Sequence, residues 1–392
     1  MSATAFLVQR IGPYHHARLS AFAARGNTVA AIEFRPDEAV YAWNAVPNGG
    51  GYARFPARSP EELCQVLEEL PAEVVVCTGY SDPEVHQAAA WALSRRVPLV
   101  TSSDSTYDDE PRSWPKEALK RRVVAAFDSA LVAGRRAFDY LGTLGMDGGR
   151  CFRPWDVVDN AHFARDADVI PSAAGAARSK LKLPEHYFLC VARFIAKKNL
   201  AGLIQAFSRY LERAGADAWS LVLSGSGPLE TELRAQVASA GLAGRVHFPG
   251  FLQYSDLPAC YRLAGAFVLP STSDQWGLVV NEAMASGLPV LVSSRCGCVP
   301  DLVRDGENGF TFDPENTSGL AACLARVAGF DPFYRERMGR RSRELVAAFT
   351  PDTFADGLSA AVACARRRVW AQKPWQTRLL LRLLARRRGR DS

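Results

Sequence analysis

Short apolar runs alternate with longer stretches of helical pattern along the whole chain, and they do so in two series. The first series holds TAFLVQ, TVAAIEF, EVVVCTG, VPLVTSS and SALVAG, with stretches such as HHARLSAFAARG and DPEVHQAAAWALSRR between them. The second holds YFLCVAR, WSLVLSG, RVHFPG, GAFVLPS, LPVLVSS and NGFTF, separated by stretches such as NLAGLIQAFSRYLERAG. Runs that are apolar on both faces, joined through helices, make parallel sheets covered by helices. The pattern predicts an α/β chain with two Rossmann-like domains. A length of 392 residues agrees, at roughly 100–200 residues per domain. We expect a first domain over 1–165, a second over 166–350 and C-terminal helices over 351–392. The linker is expected at Asp159–Lys182, which is mixed in Ala, Ser, Pro and Asp and has little apolar pattern. The DAD at Asp166–Asp168 falls in that linker and does not read as a metal motif. In DPEVHQ, Ser81 or Asp82 suits a helix cap and Pro83 the first turn.

Composition removes several function classes. Hydrophobic residues at 48% and charged residues at 22% suit a globular chain with a full core. The nine cysteines are irregularly spaced, and only RCGC brings two close together. No second half-site accompanies that pair, so no metal is expected, and a reducing, cytoplasmic compartment fits. The N-terminal MSATAFLVQR has no charged region ahead of its apolar run and reads as a first strand, not a signal peptide. No apolar run approaches the ~20 residues that span a bilayer. The net charge is +6, yet from Arg366 onward ten cations face one acid, Asp391. The body of the chain is therefore slightly acidic, and a nucleic-acid partner is not expected.

In open α/β sheets ligands sit beyond the carboxyl ends of the strands, and a cleft between two such domains is the default site. GSGPLE at Gly225 follows a strand but lacks the third glycine of a dinucleotide fingerprint and puts Pro228 in the turn. SDQWGLVVNEAMASGLPV, Ser273–Val290, is more telling. Gly277 to Ser286 reads as a helix stopped by Gly287 and Pro289. The free N–H groups of its first turn form an anion site, and Gly277 lets a phosphate come close to the backbone. Asp274 and Glu282 flank that turn. A carboxylate accepts two hydroxyls at once, so the pair fits the two ends of a sugar–diphosphate–nucleoside. The plain alternative is that Asp274 caps the helix and Glu282 is an ordinary helix acid. VARFIAKKNL supplies Arg193, Lys197 and Lys198 just past another strand, either as a diphosphate grip or as a solvated basic loop.

With these pieces in place, the second half resembles family 4 of the retaining GT-B glycosyltransferases. VARFIAKKN, LVLSGSGP, RVHFPGFL, AGAFVLPS, DQWGLVVNEAMASGLPV and PDLVRDGENGF follow one another in that family's order over most of Tyr187–Phe312. The resemblance implies a GT-B fold of two Rossmann-like domains facing across a cleft. It implies sugar transfer from a UDP- or GDP-linked donor, with retention and with neither metal nor cofactor. Arg193 and Lys198 would hold the diphosphate, Asp274 the donor sugar and Glu282 the ribose. Backbone amides at Gly277, Leu278 and Val279 would take phosphate, Gly225 would lie at the donor, and Phe251 and Leu252 would border the base. Two positions depart from the family. Asp274 stands where Glu is usual, which bears on donor-sugar choice, and Asn199 stands where glycine is usual.

The resemblance is looser in the first half, which would bind a glycan or lipid-linked acceptor. Gly12 falls in the first strand–helix loop, near the donor phosphate, with His15, His16 and Arg18 beside it; a capped surface helix is the alternative. Ser103 or Asp104 occupies the place where many relatives carry a His. PWQTRLLLRLLARRR sets Arg378, Arg382 and Arg386 at i, i+4 spacing beside Leu379, Leu380, Leu383 and Leu384, with Trp375 at the start. Trp375–Arg390 thus suits an anionic membrane surface, here the inner membrane, or a helix packed on the first domain. The expected product is a cell-surface polysaccharide or glycolipid. The rivals are a GT-B epimerase or phosphorylase, and a non-catalytic nucleotide-sugar-binding protein.

Overall fold

The computed structural model describes residues 3–37, 43, 44, 46, 49–164, 171–215, 217–368 and 375–386. Asp166–Asp168, Lys373, Pro374, Arg387, Arg388, Arg390 and Asp391 lie outside the described residues. The chain forms two compact units, Met1–Val158 with Phe349–Ser392, and Asp159–Ala348. Phe349–Ser392 thus clusters with the first unit and does not stand apart.

The first unit runs β1 (Ala3–Val8), α1 (Pro13–Ala24), β2 (Val29–Glu33), β3 (Ala53–Pro56), α2 (Pro60–Glu69), β4 (Ala72–Thr78), α3 (Pro83–Arg95), β5 (Leu99–Ser103), α4 (Trp114–Val124), β6 (Ser129–Val132), α5 (Arg135–Thr143) and β7 (Cys151–Phe152). Its strands form one parallel sheet in the order β3-β2-β1-β4-β5-β6-β7. β1, β2, β5 and β6 are buried at every position, which is why their sequence shows no alternation. The pattern missed β3 and β7: β3 is half-exposed and only four residues long, and β7 has two.

The second unit runs α6 (Asn160–Ala164), α7 (Pro171–Leu181), β8 (Tyr187–Val191), α8 (Leu200–Ala214), β9 (Ser220–Ser224), α9 (Glu230–Ser239), β10 (Val246–Gly250), α10 (Leu257–Arg262), β11 (Ala266–Leu269), α11 (Leu278–Ala285), β12 (Val290–Ser293), α12 (Val299–Leu302), β13 (Gly309–Phe312), α13 (Thr317–Ala328) and α14 (Pro332–Val346). Its sheet is also parallel, in the order β10-β9-β8-β11-β12-β13. Phe188 on β8 packs with Phe207 and Tyr210 of α8 and with Leu324 of α13 in the core. Asn316 and Asp331 cap α13 and α14 by accepting from Gly319 N and Tyr334 N at 2.8 and 2.9 Å.

Two helices complete the first unit, α15 (Pro351–Arg368) and α16 (Trp375–Ala385). Packing α15 close to the sheet needs Gly357, because a Cβ there would stand 2.4 Å from the Arg153 carbonyl oxygen. Ser129 Oγ on β6 donates to Ala361 O at 2.7 Å. α16 lies on α3 and touches α4. Asp82 sits at the N-cap of α3, but no side chain caps that helix. Its carboxylate accepts from Arg35 at 2.9 Å instead, so the expected cap by Ser81 or Asp82 does not form.

Candidate functional site

In the second unit the strand order reverses between β8 and β11. The loops leaving the carboxyl ends of these neighbours open a crevice where such sheets hold ligands. Arg193, Lys197, Lys198 and Asn199 follow β8, and Asp274 to Gly277 follow β11. These loops are separated by more than seventy residues in sequence, yet Lys198 Nζ forms an ion pair with Asp274 Oδ2. Ser271 Oγ donates to the same carboxylate oxygen at 3.3 Å. Thr272 N donates to Lys197 O at 2.9 Å, tying the loops again through the backbone.

Asn199 completes this arrangement. Its φ of 52° lies in the left-handed region, which explains why glycine suits the position and why asparagine is tolerated there. Its amide Nδ2 donates to Pro270 O at 3.2 Å and Pro314 O at 2.9 Å, so one side chain joins the loops after β8, β11 and β13.

α11 opens beside the pair as the sequence pattern predicts. Gly277 is its N-cap with φ 97°, and no side chain caps the helix. The first-turn N–H groups, at Leu278 and Val279, have no acceptor four residues back within the helix. Asp274 therefore does not serve as the cap; its carboxylate faces Lys198. Its backbone is held by a bridge to Cys296, with Gly297 N donating to Asp274 O at 2.9 Å. RCGC thus supports the loop, and burial, with Cys296 second, holds the Cys298 thiol well above its ordinary range. All nine cysteines are free, and among the described residues no group of three His, Cys, Asp or Glu could hold a metal ion.

Glu282 lies in the second turn of α11 and is fully buried. Tyr261 Oη, on α10, donates to Glu282 Oε2 at 2.6 Å. Trp276 Nε1 donates to Asn281 Oδ1 at 2.9 Å and pins the loop to the helix it enters. Sequence reasoning missed Tyr261, Trp276, Asn281 and Asn199, since their partners come from other elements or from the far side of a turn. Only the oddity of Asn199 in a glycine place was visible.

Gly225 is held by packing. A Cβ there would stand 1.9 Å from Ala192 O, so the loop after β9 lies directly on the end of β8, next to the residue before Arg193. Gly225 N donates to Gly250 O at 2.9 Å. Phe251 and Leu252 follow β10, two strands from β8, with Leu252 buried.

In the first unit the order reverses between β1 and β4. Gln9, Arg10, Gly12, His15 and Arg35 line a cavity of about 170 Å³ there. Ile11 N donates to Glu33 Oε1 at 2.8 Å, and this fixes the loop. A Cβ at Gly12 would meet nothing within 4 Å, so the space beside this backbone is open. Burial, then Arg18, pushes the His15 imidazole down to about 3. His16 and Arg18 do not line the cavity. His16 Nδ1 bonds Tyr52 Oη at 2.9 Å, and burial followed by Arg54 lowers its pKa. Arg18 is buried, paired with Asp156 at 3.1 Å and laid over Trp155 at 4.6 Å. Ser103 is buried at the end of β5 and accepts from Ser105 N at 3.3 Å. Asp104 is half-buried and interacts with Arg18.

Residues 176–345 match the model of the family Glycosyl transferases group 1. The matched residues make up most of the second unit. The site loops of β8 and β11, with α11, all fall inside the matched residues. The chain is similar to the alpha-D-kanosaminyltransferase of Streptomyces kanamyceticus, at 33% identity over 160 residues, 41% of this chain and 40% of the relative. The chain therefore spans well under half the length of that relative. The D-inositol 3-phosphate glycosyltransferase of Thermobifida fusca is 33% identical over 296 residues, 73% of this chain and 65% of the relative. Among solved structures, Anabaena HepE in complex with UDP and glucose covers 93% of this chain and 100% of its own, with a TM-score of 0.73 and 17% identity. That likeness is one of fold: the two parallel-sheet units are those of the GT-B fold.

Proposed function

We propose that this chain is a retaining glycosyltransferase of family 4. It moves a hexosyl group from a UDP- or GDP-linked donor to a glycan or lipid-linked acceptor in cell-surface polysaccharide or glycolipid synthesis. It works from the cytoplasmic side of a membrane and needs no metal or cofactor. One observation carries the reading: Lys198 and Asp274 meet beside the uncapped N-terminus of α11, at the strand switch of the second unit. The UDP and glucose bound in the HepE structure support a nucleotide-sugar donor.

Breaking the donor's glycosidic bond leaves negative charge on the diphosphate. Arg193, Lys198 and the amides of Gly277, Leu278 and Val279 are fixed positive groups that stabilise it, and one such preorganised group is worth about 3 kcal/mol. Asp274 exchanges its cation partner for hydroxyls of the donor sugar. Front-face attack accounts for retention, with the leaving phosphate taking the acceptor's proton. Tyr261 orients Glu282 for the ribose. The full burial of Glu282 stands against that last role, and mutation separates the two readings. As a ribose contact, Glu282→Ala lowers donor affinity more than Tyr261→Phe does. As a buried helix acid, it lowers only stability.

The test is a thermal-shift screen with UDP-, GDP- and ADP-sugars, followed by transfer assays on wild type and Lys198→Ala. A bound ligand raises the midpoint by mass action. No response to any donor overturns the reading. Donor binding without transfer or hydrolysis assigns the chain to the non-catalytic binders.

A further inference from the structure

Among the described residues, Tyr107, Trp114, Phe333, Trp375, Leu379 and Leu383 are the large apolar side chains left exposed. Three of them lie on α16. Trp375, Leu379 and Leu383 recur every fourth residue and are 68%, 49% and 54% exposed, so they form one outward stripe. The opposite face, Thr377, Leu381 and Leu384, is buried where α16 lies on α3. The helix is anchored by one side and, among the described residues, exposed on the other. Of the two alternatives read from the sequence, packing on the first domain holds for the buried face.

Charge identifies the occupant. Arg378, Arg382 and Arg386 are exposed beside the apolar stripe, and α16 contains no acid. α4, which touches α16, begins with Trp114 at 83% exposure and adds exposed Lys116, Arg121 and Arg122. The groove where α3, α4 and α16 meet, about 330 Å³, is lined by Lys116, Lys120 and Leu384. Lys120 on that lining is held by two acids, Glu110 at 2.5 Å and Glu117 of α4 at 3.4 Å, and Lys116 is the exposed cation there. Apolar anchors interleaved with cations match the boundary between acyl chains and anionic headgroups. Each Lys or Arg near such a surface is worth about 1 kcal/mol.

We propose that α16 and the start of α4 form one docking surface for an anionic lipid bilayer. Trp114, Trp375, Leu379 and Leu383 enter the headgroup boundary, and Lys116, Arg378, Arg382 and Arg386 bind lipid phosphates. The proposal rests on the membrane side of the functional reading above; the donor site has no part in it.

The test is sedimentation of the full chain with vesicles of phosphatidylcholine alone or mixed with phosphatidylglycerol. Binding is expected only to the mixed vesicles and falls with added salt. Arg378→Gln with Arg382→Gln weakens it about thirtyfold, from the per-residue value converted to a binding ratio. Leu379→Ser with Leu383→Ser weakens it about tenfold or more. All four side chains are exposed, so donor-induced thermal shifts stay as in wild type. No binding to mixed vesicles, equal binding to neutral ones, or variants that bind like wild type overturns the proposal. Self-association that the leucine variant abolishes assigns the face to a second copy and overturns it too. Failed vesicle binding with intact donor shifts strikes this surface alone; absent donor shifts strike the transferase reading alone.

Discussion

Lys198 and Asp274 pair across the strand switch of the second unit, both largely shielded at 13% and 12% side-chain exposure. The cation expected for the diphosphate is thus already neutralised before a donor arrives. In the proposed function, donor binding exchanges one anion for another at Lys198 and frees Asp274 for sugar hydroxyls. Lys198→Ala should lower turnover by about 10²–10³-fold, the scale of one lost preorganised donor of positive charge. Asp274→Asn should tighten binding of the nucleoside diphosphate, because Lys198 loses its competing anion, but lower transfer. Steady-state kinetics with separate kcat and KM check both.

Asn199 combines a left-handed backbone with two carbonyl contacts. Asn199→Gly keeps the backbone and loses both ties, at about 1 kcal/mol of net hydrogen bonding for each. Asn199→Ala loses the ties and adds about 1–2 kcal/mol of left-handed strain. Urea unfolding should rank wild type above the glycine variant, and that above the alanine variant. The reverse order would remove the account of this position.

Two glycines of the expected donor site should respond oppositely. At Gly225, with φ 140° and a carbonyl oxygen 1.9 Å from any Cβ, alanine should cost about 3–5 kcal/mol. At Gly12, with open space and φ −104°, alanine should change stability by no more than about 0.5 kcal/mol. Gly12→Ala should still weaken donor binding if the open backbone admits a phosphate. Unfolding and donor titration on both variants give the comparison.

The imidazole of His15 is pushed down to about 3, first by burial and then by Arg18. The unfolded chain takes up this proton near the ordinary value of about 6.5. Stability from neutral His15 is therefore complete above about 6.5 and is lost as pH falls from there toward 3. His15→Gln should flatten stability against pH across that window, as read from urea midpoints. It should leave the profile above about pH 7 unchanged.

Much of this architecture was legible in the chain because fully buried parallel strands carry unbroken apolar runs. β1, β4, β8, β9, β11 and β12 could be read that way, and so could α11, bounded by Gly277 and Ser286. β3 and β7 could not, since a half-exposed edge and a two-residue strand leave no periodic signal. The tail showed its cations and its leucines but not which face of α16 is spent on α3.

By itself, the sequence determined the alternation of strands and helices, the glycine-opened start of α11, and the acids and cations near it, because local propensity and pattern write those features into adjacent residues. Only the tertiary structure decided that Asp274 answers Lys198 and not the helix end. In the same way it decided that Glu282 is held by Tyr261 and that Arg18 belongs to Asp156. The physical reason is common to all three. A side chain's partner is fixed by which loops the sheet order brings together, and strand order joins residues that the chain keeps far apart.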